Sequence, residues 1–258
     1  MSRLKPIKLQ RSNYFFLLIF ATLILVRIFS DFNGLYGQDS HEYFRYSKRL
    51  ADFFQNGTHP GDYFWPINFP LYGAFFSFLI PWDVFARQLV SLLSFVLIIF
   101  YTYRMIRFYH SKGNQQTIYV YLGLVLFPSP FLFQSAFLVM SDMLATVFSI
   151  AAIFHILQYR RNVKVGDFLL AVFFSVSAVM TRYPTAILLL LPVVLLIFTF
   201  AKNFRFTNLS VAVLITIICL LPHFLIRGWQ SGDFLGHQWL QTWSVKNWFL
   251  SEFTTVDG

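Results

Sequence analysis

Apolar residues in this chain run in long blocks separated by short polar intervals. The blocks are Tyr14 to Phe29, Val84 to Phe108, Gln116 to Phe127, Met143 to Tyr159, Phe168 to Met180, Pro184 to Phe200 and Leu209 to Ile226. Crossing ~30 Å of hydrocarbon takes about 20 apolar residues, so with their flanks these seven blocks are predicted to be transmembrane helices. A transmembrane β-barrel would need strands that alternate apolar and polar residues, and these runs do not alternate. An eighth block, Leu71 to Ile80, is too short to cross and is predicted to lie at the interface or to re-enter.

The longest polar interval runs from Tyr36 to Pro70 and holds Asp39, Glu42, Asp52 and Asp62. Within it, Tyr43, Tyr46, Leu50 and Phe53/Phe54 fall on one helical stripe, while Arg45, Lys48, Arg49 and Asp52 fall elsewhere. Ser40 to Phe54 is therefore expected to be an amphipathic surface helix ended by Asn56-Gly57. Trp65-Pro66 and Phe69-Pro70 then punctuate the chain before the short apolar block. The expected fold is all-α: a polytopic helical membrane protein with about seven spans and two interfacial helices in its first extracytoplasmic loop. We read 1–258 as a single module, with a cytoplasmic tail at 1–13, the loop at 32–83 and an extracytoplasmic tail at 228–258.

Composition and charge placement fix that reading. Apolar residues make up 57% of the chain and charged residues 12%, with a mean hydropathy of +0.60, against about 25% charged in soluble domains. With Arg3, Lys5, Lys8 and Arg11 held inside, the even-numbered spans end at Arg104, Arg107 and Lys112, at Arg160, Arg161 and Lys164, and at Lys202 and Arg205. Twelve of the twenty basic residues then face the cytoplasm, and Asp167 alone of the acids. Counting Leu71–Ile80 as a crossing would turn these groups outward, Arg104-Arg107-Lys112 and Arg160-Arg161-Lys164 among them. The net charge of +9 thus encodes orientation and contact with anionic lipid, and is not a nucleic-acid footprint. A signal peptide is set aside because RIFSDFNG is bulky where cleavage needs small residues. The lone Cys219 admits no intrachain disulfide.

Chemistry is expected on the outer face. Asp39 precedes the amphipathic helix with Ser40, His41 and Glu42 beside it, a pattern that reads as a capping box. It also reads as a general base at the membrane edge, where partial desolvation raises a carboxylate pKa. Asp142 opens a span after Pro128-Ser129-Pro130, either as a helix cap together with Ser141 or as a substrate or metal ligand. Arg182, in VMTRYP at the outer end of a span, can grip a phosphate through bidentate hydrogen bonds, contact a lipid headgroup or pair with Asp142. His41 lacks a partner at metal spacing, and His155 and His223 are expected to pack or hydrogen-bond within the bundle. Asn56-Gly57-Thr58 is a glycosylation sequon. The chain has no Walker loop, GxSxG, HExxH or CxxC.

An ordered set of motifs resembles the N-terminal module of the GT-C glycosyltransferases, and within them the bacterial mannosyltransferase-like and protein O-mannosyltransferase-like branches. The set begins with Asp39 and Tyr43 after the first span, then Trp65-Pro66 to Phe69-Pro70-Leu71 before a short "jaw" helix, then ARQLVSLLSFVLIIFYTYRMIR from Ala86. Ser141-Asp142 follows, where many members have Ser-Glu, and Thr181-Arg182-Tyr183-Pro184, where many have Thr-Arg-Pro. Gly232-Asp233-Phe234 to Trp243 completes it. The chain departs from the family where Asp39 is followed by Ser40 instead of a second acid, so that the next carboxylate is Glu42. It also ends at Gly258 without the later spans of many members, which suggests a piece of a longer enzyme.

The resemblance implies an inverting transfer of a sugar from a polyprenyl-phosphate donor to a hydroxyl of a glycan, lipid or protein acceptor. It would occur at the extracytoplasmic face of a bacterial inner or plasma membrane. Asp39 would act as base, and Glu42, His41, Asp142 and Arg182 would bind substrate. A divalent metal is an option, with Asp39 and Asp142 as ligands. A transporter or flippase subunit is the rival, supported by Arg27 within the first span and by the Pro128/Pro130 break. A non-catalytic relative is a third reading.

Overall fold

The computed structural model describes residues 11–30, 32–61, 63, 65–110, 114–126 and 129–231. The Gly232–Trp243 motif, Asp62, Lys112, Pro128 and most of both tails lie outside them. Among the described residues the chain is helical throughout: α1 Arg11–Ser30, α2 Gly37–Asn56, α3 Asn68–Ser77, α4 Asp83–Tyr109, α5 Gln115–Leu126, α6 Pro130–Ala136, α7 Asp142–Asn162, α8 Val165–Val179, α9 Thr185–Lys202 and α10 Phe206–Ser231.

Among the described residues, four helices are long and apolar enough to cross a membrane: α4, α7, α9 and α10. The block at Gln116–Phe127 is not a crossing by itself. Its helix, α5, has 12 residues, about 18 Å, and is followed across a bend of 85° by α6, so that the pair is a broken span or a re-entrant loop. The break has a local cause. Pro130 sits at the start of α6, where its missing N–H costs nothing, while Ser129 caps the new helix by accepting from the Leu132 N–H. The two remaining predicted crossings are the shorter apolar helices Tyr14–Ser30 and α8.

α7 is the packing centre and touches α4, α8 and α9. Its buried face is rich in small side chains, with Ala145, Ser149, Ala151 and Ala152, so that backbones approach closely, as helix association in lipid requires. α9 and α10 instead expose leucines, isoleucines and phenylalanines such as Ile187, Leu191, Phe198 and Ile218, which suits a lipid-facing surface.

The two surface helices lie on this bundle as the spacing predicts. α2 buries Ser40, Tyr43, Tyr46, Ser47, Leu50 and Ala51 and ends at Gly57, whose φ of +73° forms a left-handed cap. Phe54 of the predicted stripe remains exposed. α3 starts at Asn68, earlier than the apolar block suggests, because Pro70 fits the first turn of a helix, whose amide hydrogens have no intrahelical acceptor.

Arg87, 1% exposed, clamps α2 onto α4. Its Nε donates to Ser47 Oγ at 3.0 Å, its Nη1 pairs with Asp83, and the guanidinium lies over the Phe44 ring. Lys48 reaches the other Asp83 oxygen at 2.8 Å.

Candidate functional site

The ends of α2, α3, α7 and α8 converge on one spot. Tyr36 enters α2 in an extended conformation and Gly37 takes φ +70°, so helix begins two residues before Asp39. The capping-box expectation for Asp39, Ser40 and Glu42 is therefore overturned. The cap position belongs to Tyr36 without a side-chain bond, and Ser40 Oγ donates back to Tyr36 O at 2.6 Å. Asp39 instead occupies the first turn, half-buried, where the helix dipole favours a negative charge.

Tyr43, one turn on, is 4% exposed. Its ring packs edge-on against Phe69 and Tyr63, and its hydroxyl lies 2.7 Å from Ser141 Oγ. Ser141 is the α7 cap residue, yet its side chain makes no capping bond because Tyr43 engages it. Burial pushes the Tyr43 phenol above its ordinary pKa. The Ser141 hydrogen bond and the positive charge of Arg182 oppose that shift, and the negative charge of Asp39 adds to it. Asp39 and Arg182 thus act on the same hydroxyl.

Arg182 lies just beyond the end of α8, its N–H bonded to Ala178 O at 2.9 Å, and its guanidinium pairs with Asp142 at the start of α7. Both members of the pair are partly open, 41% and 37% exposed. The turn that carries Arg182 is fixed from two sides. Asn68 of α3 donates through its backbone N–H to Met180 O at 3.3 Å and through Nδ2 to Ser177 O at 3.2 Å, and Thr181 Oγ1 donates to Ser177 O.

The Tyr43–Ser141 contact therefore brings the start of α2, which carries Asp39, to the Asp142–Arg182 pair at the start of α7. His41 and Glu42 stand apart. His41 is exposed on α2, and Glu42 pairs with Arg45 along the same helix. Among the described residues, no group of three or more His, Cys, Asp or Glu side chains could hold a metal. The Asp142 carboxylate is met by the Arg182 guanidinium.

Two polar residues missed by the sequence reading support the site. Gln88 of α4, fully buried, accepts from Arg27 Nε at 2.5 Å and donates to Phe137 O at 2.6 Å. Arg27, on which the transporter reading leaned, is thus bonded to the neighbouring helix. The signal was Arg87-Gln88 in the first turns of an apolar span, since polar side chains in a membrane helix need partners.

An apolar groove of about 580 Å³ lies between the end of α2 and α3, lined by Phe54, Leu71, Tyr72, Phe75, Phe76 and Phe78. It runs along the helix that Asn68 ties to the Arg182 turn.

Residues 71–235 match a family described as a domain of unknown function, DUF8201. No curated protein matches the chain. Among solved structures the chain is similar to ArnT from Cupriavidus metallidurans in the apo state, with 15% identity and a TM-score of 0.61. The alignment covers 94% of this chain and 45% of ArnT, so the chain spans less than half the length of that protein. The likeness shows the fold, a polytopic helical membrane module.

Proposed function

This chain belongs to the DUF8201 family, and from that premise we propose that it acts as a GT-C membrane glycosyltransferase, transferring a sugar from a polyprenyl-phosphate donor to an acceptor hydroxyl. The observation that carries the reading is the Tyr43–Ser141 contact, which brings the first turn of α2 with its half-buried Asp39 to the Asp142–Arg182 ion pair. A base and an anion-binding group at one membrane edge are what this reaction needs.

In the proposed step, Asp39 accepts the acceptor's O–H proton as that oxygen forms a bond to the anomeric carbon. The bond from that carbon to the phosphate oxygen breaks, and polyprenyl phosphate leaves with the electron pair, giving inversion. A departing phosphate is already a stable anion, so it needs a positive charge more than a proton. Arg182 supplies it by charge-assisted hydrogen bonds, with Asp142 orienting the guanidinium. The groove between α2 and α3 takes the isoprenoid tail, which brings the sugar phosphate to Arg182 and converts a bimolecular encounter into a positioned one. His41 and Glu42, on the same helix as Asp39, meet the acceptor as it approaches.

By the motif resemblance the sugar is a hexose of the mannosyl type. The active face is extracytoplasmic, in a bacterial inner membrane. Arg182 takes the role that a divalent ion would otherwise fill.

The test is transfer of labelled mannose from polyprenyl-phosphate mannose by the purified full-length protein. Asp39→Asn should abolish turnover while leaving the melting temperature and elution profile unchanged, and chelation with EDTA should not slow the wild type. Turnover retained by a folded Asp39→Asn protein removes Asp39 as the base. Loss on chelation with recovery on added Mg²⁺ would replace the arginine mechanism with a metal held by Asp39 and Asp142.

A further inference from the structure

The far end of α4 and α7 carries a second set of polar groups around a cavity. Arg87 and Arg104 lie seventeen positions apart on α4, about 25 Å of helix, and Asp142 and Gln158 lie sixteen apart on α7, about 24 Å. The two ends of the bundle are thus separated by a distance close to the ~30 Å of hydrocarbon in a bilayer. At the end away from Asp39, Tyr103, Arg104, Arg107, Phe108, Phe154 and Gln158 line a cavity of about 300 Å³.

Its cations are held by rings instead of carboxylates. The Arg104 guanidinium lies 4.8 Å from the Phe154 centroid and 5.6 Å from that of Phe100. Arg161 lies over Phe108 at 5.1 Å and reaches Phe108 O at 3.5 Å, and Arg107 reaches the Tyr103 hydroxyl at 3.5 Å. Stacking fixes the plane of a guanidinium and leaves its N–H edge open to an anion. Among the described residues none of these three arginines forms a salt bridge. Asp167, the acid at this end of the bundle, is engaged by His155 at 2.9 Å. Gln158 accepts from Asn162 through Oε1, which leaves its amide N–H groups to donate.

We propose that this cavity binds the phosphate of an anionic phospholipid headgroup. Arg104 and Arg107 would donate to the phosphate oxygens, Gln158 would donate beside them and Arg161 would close the rim. Three arginines without carboxylates, in a chain with 12% charged residues, call for an anion. A cavity with phenylalanine walls between two spans favours one that arrives with acyl chains over a soluble ion. Basic pockets between membrane helices bind lipid headgroups by this chemistry. The site does not depend on the proposed reaction.

The test uses the full-length protein in detergent. Native mass spectrometry reads retained lipid, and thermal unfolding is followed with added phosphatidylglycerol, phosphatidylcholine or inorganic phosphate. Phosphatidylglycerol should be retained and should raise the melting temperature, whereas phosphatidylcholine and phosphate at equal concentration should not. Arg104→Gln/Arg107→Gln should retain phosphatidylglycerol on the order of 30-fold less well and lose the thermal shift. If that double variant fails to fold, Arg107→Gln alone, at an exposed position, should still weaken retention several-fold. Undiminished retention by the folded variants, equal stabilisation by phosphatidylcholine, or the whole effect from inorganic phosphate overturns the proposal.

Discussion

The hydroxyls of Tyr43 and Ser141 lie 2.7 Å apart although 98 residues separate them. That contact sets the register of surface helix α2 against the start of α7, and so it decides which groups meet. One turn before Tyr43 comes Asp39, and one residue after Ser141 comes Asp142 with its partner Arg182. A slip of one residue along α2 would rotate Asp39 by about 100° away from that pair.

Tyr43→Phe should keep the ring packing against Phe69 and Tyr63 while leaving the buried Ser141 hydroxyl without this partner. The expected cost is about 1 kcal/mol of stability, with turnover falling on the order of 10-fold or more because Asp39 is then less well positioned. The sign of the pH dependence follows from burial, which raises the Tyr43 pKa above its ordinary value near 10. Below that value the phenol is protonated in both folded and unfolded chains, and its contribution to stability is complete. As pH rises past it, the unfolded chain loses the proton first and stability declines. Melting temperatures measured between pH 8 and 11 should therefore show the gap between wild type and Tyr43→Phe narrowing above pH ~10. A gap that stays constant would remove the buried phenol as its source.

The sequence disclosed the long spans, the basic ends and the two surface helices, because membrane insertion imposes run length and charge placement on the chain itself. It disclosed less of the site. Asp39, Asp142 and Arg182 stood out as charges at the ends of apolar blocks, but the contacts that assemble the site, Tyr43–Ser141 and Asp142–Arg182, join residues far apart in the chain. Asp39 read as a cap because Asp-Ser-x-Glu fits a capping box, whereas Gly37, able to take a positive φ, starts the helix earlier. Arg87 and Gln88 passed unnoticed because burial on one face of α4 is a tertiary property.

Arg182→Lys separates charge from geometry. Lysine keeps the cation but loses the planar fork that can hold a phosphate and Asp142 together. Because the Arg182–Asp142 pair is partly exposed, its contribution to stability is small, and the variant should melt close to wild type. Its kcat/KM for the polyprenyl-phosphate donor should nevertheless fall at least 10-fold, about 1.4 kcal/mol of transition-state stabilisation. Asp142→Asn, which leaves the guanidinium in place but less firmly oriented, should lose less. Steady-state kinetics on both variants checks the order, and a larger loss in Asp142→Asn would mean that the carboxylate, not the arginine, meets the substrate.

Gly73 tests whether the seat of α3 matters to the site. A β-carbon there would stand 2.8 Å from Arg87 Cγ and 2.8 Å from Ser47 Oγ, two atoms already committed to the clamp between α2 and α4. Neither can withdraw freely: Arg87 is fully buried and tied to Asp83, and Ser47 accepts its Nε proton. Gly73→Ala should therefore push α3 outward and cost roughly 1–3 kcal/mol by overpacking. Since Asn68 joins α3 to the Arg182 turn, turnover should fall with stability. Gly123→Ala provides the control. It lies within α5 with open space around its Cα, so an added methyl group should stabilise by up to about 1 kcal/mol through helix propensity alone. Thermal unfolding of both variants decides the matter, and a Gly73→Ala protein as stable as Gly123→Ala would mean that α3 can shift without disturbing the clamp.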